Sequence, residues 1–230
     1  MNDLHERKVE SRDKKDIKIV NIEFDRINNN FENSIKEIKD RQKKLKRKKN
    51  LKDEDYFILR TQIVFLESAF DYYIHEIITY GIIKIYNGEW ETNNDFESIL
   101  IKLNTCINML KKPELSAEIL KEYIIEFFSG MTFLDKKNLN SKLKIIGISS
   151  QNISSILYPN ESEEGRKQKF AQFFTELYHR RNRIVHQCDM EFGSNSKCDI
   201  NIGEVDNFIN TIEKIIVTIK DLIEKKDNSN

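Results

Sequence analysis

Residues 163–187 read EEGRKQKFAQFFTELYHRRNRIVHQ, and they show most directly how this chain folds. Ser162 is a favourable N-cap, and two glutamates follow it in the first turn, where the helix dipole favours acidic side chains. At 100° per residue, the apolar side chains form one stripe, consisting of Phe170, Phe173, Phe174, Leu177, Tyr178, Ile184 and Val185. The opposite side carries His179, Asn182, Arg183 and His186. The segment therefore predicts a long helix that packs against a core through one face.

Two further long helices are predicted before this one. Apolar residues recur three or four positions apart from residue 16 to about Lys46, and a basic run at 43–49 follows them. Asp53 is a suitable N-cap for a second helix, which we expect to stop at Asn87-Gly88. We expect these two helices to form a long antiparallel hairpin, with residues 16–50 as an N-terminal helix and its basic tail. Residues 1–15 are polar, and we expect a flexible N-terminus there.

The rest of the chain predicts shorter helices and one more long helix. Residues 95–112 are expected to form one helix that ends before Pro113, and residues 116–129 another. Short helices are expected around Gly147, within 139–158. The last helix is predicted over about 204–225, and residues 226–230 are expected to form a disordered tail.

Composition supports an all-α protein. Two prolines and seven glycines in 230 residues leave few breaks, and the formal net charge is zero, so any nucleic-acid site must be a local patch. No apolar run approaches the length of a membrane-spanning helix, so we expect no membrane partner. The three cysteines form no C-x-x-C pair, which indicates a reduced, cytoplasmic setting. We find no phosphate-binding glycine loop and no metal-ligand spacing, so we expect no cofactor and no metal.

Arg181 falls in the middle of the apolar stripe of the 163–187 helix, where a charge is out of place. Either the helix distorts near its end, or the guanidinium is partly buried and needs an acidic partner, because a buried unpaired charge is costly. Glu67, at the edge of the second helix's apolar stripe, is the candidate structural partner.

Residues 180–186 also bring together the groups that metal-free RNA cleavage requires. That reaction needs an acceptor for the 2′-hydroxyl proton, a proton donor for the leaving oxygen and a fixed cation at the phosphate. Histidine fills either proton role near neutral pH, and the guanidinium fork of arginine matches phosphate oxygens. His186 is therefore a candidate catalytic acid or base, and the competing interpretation is a histidine favoured by the helix dipole.

The spacing Arg181-Asn182-x-x-x-His186 resembles the R-x4-6-H signature of the HEPN superfamily, in which the residue after the arginine is usually polar. The resemblance implies a HEPN-like helical bundle over residues 53–225. It implies a metal-independent endoribonuclease of the toxin–antitoxin or phage-defence kind, acting on an RNA substrate. It further implies a homodimer in which Arg181 and His186 of both protomers face one cleft, with an antitoxin or another regulatory protein as a partner.

Each candidate residue has more than one interpretation. Arg181 stabilises phosphate charge, forms a structural ion pair, or does both; Asn182 orients the imidazole, touches the phosphate, or is solvated. Arg180 and Arg183 are interpreted as auxiliary RNA contacts or plain surface charge. Lys46 and Arg47, in the basic run, are interpreted as contacts to the RNA backbone or as solvated residues at a helix end. The alternative function is a non-catalytic HEPN module, a scaffold for dimerisation or RNA binding.

Overall fold

The computed structural model describes residues 15–134 and 136–229, without the side chains of residues 15–22, 136 and 137. These residues form α1 (Lys15–Lys46), α2 (Asp53–Tyr86), α3 (Asn94–Glu97), α4 (Leu103–Lys111), α5 (Ser116–Phe128), α6 (Lys136–Ile145), α7 (Ser150–Leu157), α8 (Glu163–Gln187) and α9 (Ile202–Asp227). Over this part of the chain there is no β-strand beyond one isolated bridge between Met190 and Lys197, so the all-α prediction is confirmed. The expected flexible N-terminus, residues 1–15, lies outside the described residues except for Lys15.

The predicted antiparallel hairpin is present, because α1 packs along α2 after a six-residue connection at 47–52. Gln62 donates from its side-chain amide to the Ile38 carbonyl at 3.0 Å, and the Tyr73 hydroxyl donates to Asn28 at 3.1 Å. The cap of α2 is one residue earlier than expected. Asp53 is the first helical residue, and the Asp55 carboxylate accepts the Lys52 N–H at 3.0 Å.

Helix α2 is the centre of the bundle and contacts α1, α5, α6, α8 and α9. In its first half, only one stripe of side chains is buried. In its second half, side chains on almost every side are buried, namely Tyr73, Ile74, Ile77, Ile78, Tyr80, Ile82 and Ile85. A helix that is apolar all round belongs in the interior of a bundle. Within the described part of the chain, no helix is long and apolar enough to cross a lipid bilayer.

The middle of the chain differs from the prediction, because residues 95–112 form two short helices rather than one. Asn93 caps α3 by accepting the Phe96 N–H at 3.0 Å, and the helix ends at Glu97. The chain then has no regular structure as far as α4, and the Tyr123 hydroxyl donates to the Leu100 carbonyl at 3.0 Å. This hydrogen bond from α5 satisfies a backbone group that a continuous helix would have used itself.

Helix α9 is longer than predicted, and the expected disordered tail at 226–230 is wrong for its first two residues. The Asp227 carboxylate accepts hydrogen bonds from the Tyr80 hydroxyl and from the Trp90 indole N–H, both at 2.9 Å. These contacts hold the last turn of α9 against α2.

A close approach in the core gives a test of this packing. A Cβ atom on Gly81 of α2 would lie 2.5 Å from Ile146 Cγ2 and 2.9 Å from Trp90 Cζ3. We expect Gly81→Ala to lower the free energy of unfolding by about 1–3 kcal/mol, as overpacked cores do. Urea denaturation measures it. Gly130→Ala, where a Cβ meets nothing within 4 Å, is the matched control and should change stability little. Equal effects of the two substitutions would contradict the packing described here.

Candidate functional site

The predicted catalytic residues lie in the last two turns of α8, which begins after a Ser162 cap that accepts the Gly165 N–H at 3.1 Å. Phe170, Phe174 and Leu177 are buried against the core. Arg181 and Asn182 are partly buried, and His186 is exposed. Along the end of α8, the motif therefore passes from the partly buried Arg181 and Asn182 to the exposed His186, about one turn later.

Arg181 is held by two acceptors. Its Nε donates to Glu67 Oε2 at 3.2 Å, and its Nη1 donates to Asn182 Oδ1 at 2.9 Å. The Glu67 side chain is almost fully buried on α2, whereas the Arg181 side chain keeps 30% of its surface exposed. The structure thus brings together Arg181, Asn182 and Glu67, three of the residues selected from the sequence. Because two different groups fix its orientation, the guanidinium is presented in one direction.

Glu67 lies in a cluster of opposing charges. Burial raises the pKa of Glu67 above its usual range, Arg181 opposes that rise, and Asp71, one turn further along α2, adds to it. Asp71 accepts the Phe133 N–H at 2.5 Å and so ties the 131–134 loop to α2. The ion pair with Arg181 therefore offsets part of the effect of burial on this carboxyl.

His186 contacts no other described side chain through a hydrogen bond or ion pair. It lies one turn after Asn182, so the two side chains project from the same side of α8. Its ring is exposed at the end of the helix, where a proton can pass to or from a bound molecule. A single chain supplies one such imidazole.

Arg180 is not at the surface, and the expectation that it is an RNA contact or plain surface charge is wrong. Its side chain is buried, with Nη1 at 3.2 Å from Asp189 Oδ1 and Nε at 3.2 Å from Glu204 Oε1. Its Nη2 donates to the Asp199 carbonyl at 2.6 Å. All of its donor groups face the protein, so Arg180 holds α8 against α9.

Asp189 is the centre of this buried cluster. Its side chain is 0% exposed, and Oδ2 accepts from Arg60 Nε at 2.6 Å. Arg60, on α2, also donates to the Cys198 carbonyl at 2.7 Å. Both Cys188 and Asp189 have left-handed backbone conformations, with φ of 52° and 59°, which turn the chain sharply at the end of α8. The cluster therefore fixes where the motif helix stops.

Arg60, Asp189 and Glu204 were missed from the sequence. The signal for Arg60 was available, because it lies beside Leu59 and Ile63 in the apolar stripe of α2, as Arg181 lies in the apolar stripe of α8. The same reasoning that selected Glu67 would have required an acidic partner for Arg60. No sequence pattern marks Asp189 as that partner, since it lies 129 residues away in a turn.

The remaining basic candidates make no hydrogen bond or ion pair with Arg181, Asn182 or His186. Arg183 donates from Nη1 to Cys198 Sγ at 3.2 Å and is partly exposed. Lys46 pairs with Asp206 on α9 at 2.7 Å. Arg47 is exposed and has no acidic partner among the described residues. Arg183 and Arg47 are thus the candidates whose cation makes no ion pair among the described residues.

One comparison with known proteins gives a match. A family model described as RiboL-PSP-HEPN matches residues 29–225, which includes much of α1 as well as the whole of α2 to α8. No curated protein and no solved structure matches the chain. The family model therefore agrees with the resemblance that the Arg181–His186 spacing indicated.

The buried cluster gives a stability prediction. We expect Asp189→Asn to lower the free energy of unfolding by about 3–5 kcal/mol, because it leaves the buried Arg60 without an acidic partner and Arg180 with Glu204 alone. Urea denaturation at pH 7 measures it. Asp199→Asn, at an exposed residue whose carbonyl alone contacts Arg180, is the matched control. A loss no greater than that of the control would show that the cluster does not hold the helix end.

The Arg181–Glu67 pair gives a prediction with a pH dependence. Without the guanidinium, burial raises the pKa of Glu67 further, so the folded state favours the protonated carboxyl more strongly and the variant loses stability as the pH rises. We expect Arg181→Gln to lower the free energy of unfolding, measured by urea denaturation, more at pH 8 than at pH 5, by a difference on the order of 2 kcal/mol. Adding Glu67→Gln should abolish the pH dependence. An equal loss at both pH values would mean that Glu67 does not depend on Arg181.

Proposed function

This chain belongs to the RiboL-PSP-HEPN family, and from that premise we propose that it is a metal-independent endoribonuclease. HEPN domains have nuclease or other RNA-related roles at the level of the family. One observation carries the proposal further: Arg181 is fixed in orientation five residues before an exposed His186 that makes no hydrogen bond or ion pair with a described side chain. An imidazole with no partner in the fold contributes little to stability, whereas a proton-transfer group must be open to its substrate.

The reaction follows from these groups. His186 accepts the proton of a ribose 2′-hydroxyl, whose oxygen attacks the adjacent phosphorus and forms a new P–O bond. The bond to the 5′-oxygen of the next nucleotide breaks, and a second acid donates a proton to that oxygen. Arg181 stabilises the negative charge that develops on the phosphate oxygens. The products are a 2′,3′-cyclic phosphate and a 5′-hydroxyl.

Arg181 can serve both structure and catalysis. Its Nε and Nη1 are taken up by Glu67 and Asn182, and its Nη2 has no partner among the described residues. Nη2 is therefore the donor we assign to the phosphate. Asn182 acts through Arg181 as a positioning residue, because its side-chain oxygen accepts from the guanidinium.

We further propose that the active enzyme is a homodimer, since the reaction needs an acid as well as a base and one chain offers one His186. Tyr178 and Val185 flank Arg181 on α8 and are 37% and 45% exposed. The outer face of α2 carries three more exposed aromatic side chains, Phe57, Phe65 and Tyr72. Exposed apolar area of this kind marks association surfaces, and pairing through it would bring the second imidazole to the cleft.

Such an enzyme would act as a toxin or anti-phage defence effector, with an antitoxin or another regulatory protein keeping it in check. The alternative is a non-catalytic scaffold for dimerisation or RNA binding. The observation that favours it is that Arg181 already has two partners within the chain. The following experiment separates the two.

The test is cleavage of total RNA by the purified protein in excess EDTA. We expect the wild type to cut and to leave cyclic phosphate ends, and His186→Ala to lower the cleavage rate by at least about 100-fold, because proton transfer is lost. His179→Ala is the matched control, since His179 is exposed on the same helix and contacts Tyr178.

Three outcomes would contradict the proposal. Cleavage by His186→Ala at the wild-type rate would place the activity elsewhere, and an equal loss in His179→Ala would remove the specificity of the assignment. A folded wild-type dimer that cuts no RNA would favour the scaffold.

A further inference from the structure

A loop formed by residues 189–199 leaves the end of α8 immediately after the motif, and it is held in one shape. The Cys198 N–H donates to the Asp189 carbonyl at 2.7 Å, and the Glu191 N–H donates to the Ser196 carbonyl at 3.0 Å. An isolated antiparallel bridge joins Met190 to Lys197. At its base, Asp189 is clamped by Arg60 and Arg180. A loop anchored in this way presents its tip without a large entropic cost on binding.

The tip of this loop presents Phe192, whose side chain is fully exposed. Gly193, with φ of +74°, makes the turn directly after it. The residues that follow are Ser194, Asn195 and Ser196, so the ring has polar neighbours along the loop. A rigid loop that holds a large apolar ring in water stabilises the fold very little through that ring, which indicates that the ring meets something else.

Cations lie on the same loop and beside it. Lys197 is exposed on the returning strand of the loop and has no acidic partner among the described residues. Arg183 contacts the loop through Cys198 Sγ and likewise makes no ion pair within the described part of the chain. The acidic side chain near the tip of the loop, Glu191, accepts a hydrogen bond from the Ser196 hydroxyl at 3.5 Å. An aromatic ring next to unpaired cations is the combination that binds single-stranded nucleic acid.

We propose that the 189–199 loop binds single-stranded RNA, with Phe192 stacking on an unpaired base and Lys197 contacting the backbone phosphate. The loop starts three residues after His186, so the stacked base lies next to the scissile bond. This placement rests on the proposed function. A base within a duplex has both faces covered by its neighbours. The substrate class is therefore RNA that is unpaired at the cleavage site, such as a loop or a single strand.

A protein partner fits this loop less well than RNA does. Residues that dominate protein interfaces cluster in packed apolar patches. The exposed aromatic side chains Phe57, Phe65 and Tyr72 line one such groove between α1 and α2. Phe192 stands apart from them at the tip of a polar loop. Association through Phe192 is thus the competing outcome that the experiment must detect.

The experiment measures binding in the His186→Ala background, so that RNA is not cut. The probe is a fluorescein-labelled, unstructured oligoribonucleotide of mixed sequence, followed by fluorescence anisotropy. We expect Phe192→Ala to raise Kd by about 5- to 100-fold, the range for loss of one base–aromatic stack, and Phe192→Trp to retain affinity. Leu110→Ala is the control, because Leu110 is a similarly exposed apolar residue on α4. We expect Lys197→Ala to lower the slope of log Kd against log salt by about one.

Several results would overturn the inference. These are an unchanged Kd in Phe192→Ala, an equal loss in Leu110→Ala, no binding of the probe at all, or dissociation of the dimer by Phe192→Ala in sedimentation. Cleavage by the wild type with an unchanged KM in Phe192→Ala would refute the loop's role alone. Loss of binding in Phe192→Ala, with no cleavage by the wild type, would support the loop and refute the proposed nuclease.

Discussion

The Asp189 carboxylate, buried between the guanidiniums of Arg60 and Arg180, is the interaction on which the rest of this end of the bundle depends. With Glu204, these residues form a cluster of two cations and two anions that joins α2, α8 and α9. Each buried charge is tolerated only because its counter-charges are in place. As a result, the cluster sets the end of α8, and with it the positions of His186 and of the 189–199 loop.

Two neighbouring arginines on α8 have different tasks because a helix turns by 100° from one residue to the next. Arg180 points into the cluster, where its guanidinium is buried, whereas Arg181 lies at the edge of the bundle with Glu67 and Asn182. The second ion pair lowers the cost of burying Glu67 and leaves Nη2 of Arg181 without a partner among the described residues. The motif is therefore a rigid part of the fold as well as a candidate site, and its geometry is prepared before any substrate binds.

The long helices were predictable because their apolar residues recur with the period of a helix facing a core. Helices α1, α2, α8 and α9 begin and end within a few residues of the predicted positions. The break between α3 and α4 was not predictable, since it depends on Tyr123 of α5 reaching the Leu100 carbonyl. The burial of Arg180 was missed for a similar reason. Its projection on α8 is at the side of the helix, and only the position of α9 decides that this side is covered.

By itself, the sequence determined the helical class, the hairpin of α1 and α2, the spacing of Arg181, Asn182 and His186, and the need for an acid opposite Arg181. These follow from the helical period and from the cost of burying a charge, and both are local properties. Tertiary structure alone decided that Arg180 faces inward, that Arg60 finds its partner in the turn after α8, and that Phe192 is held out in solvent. Those outcomes depend on which surfaces meet across the bundle, and a periodic pattern shows where a side chain points on its own helix but not what lies opposite.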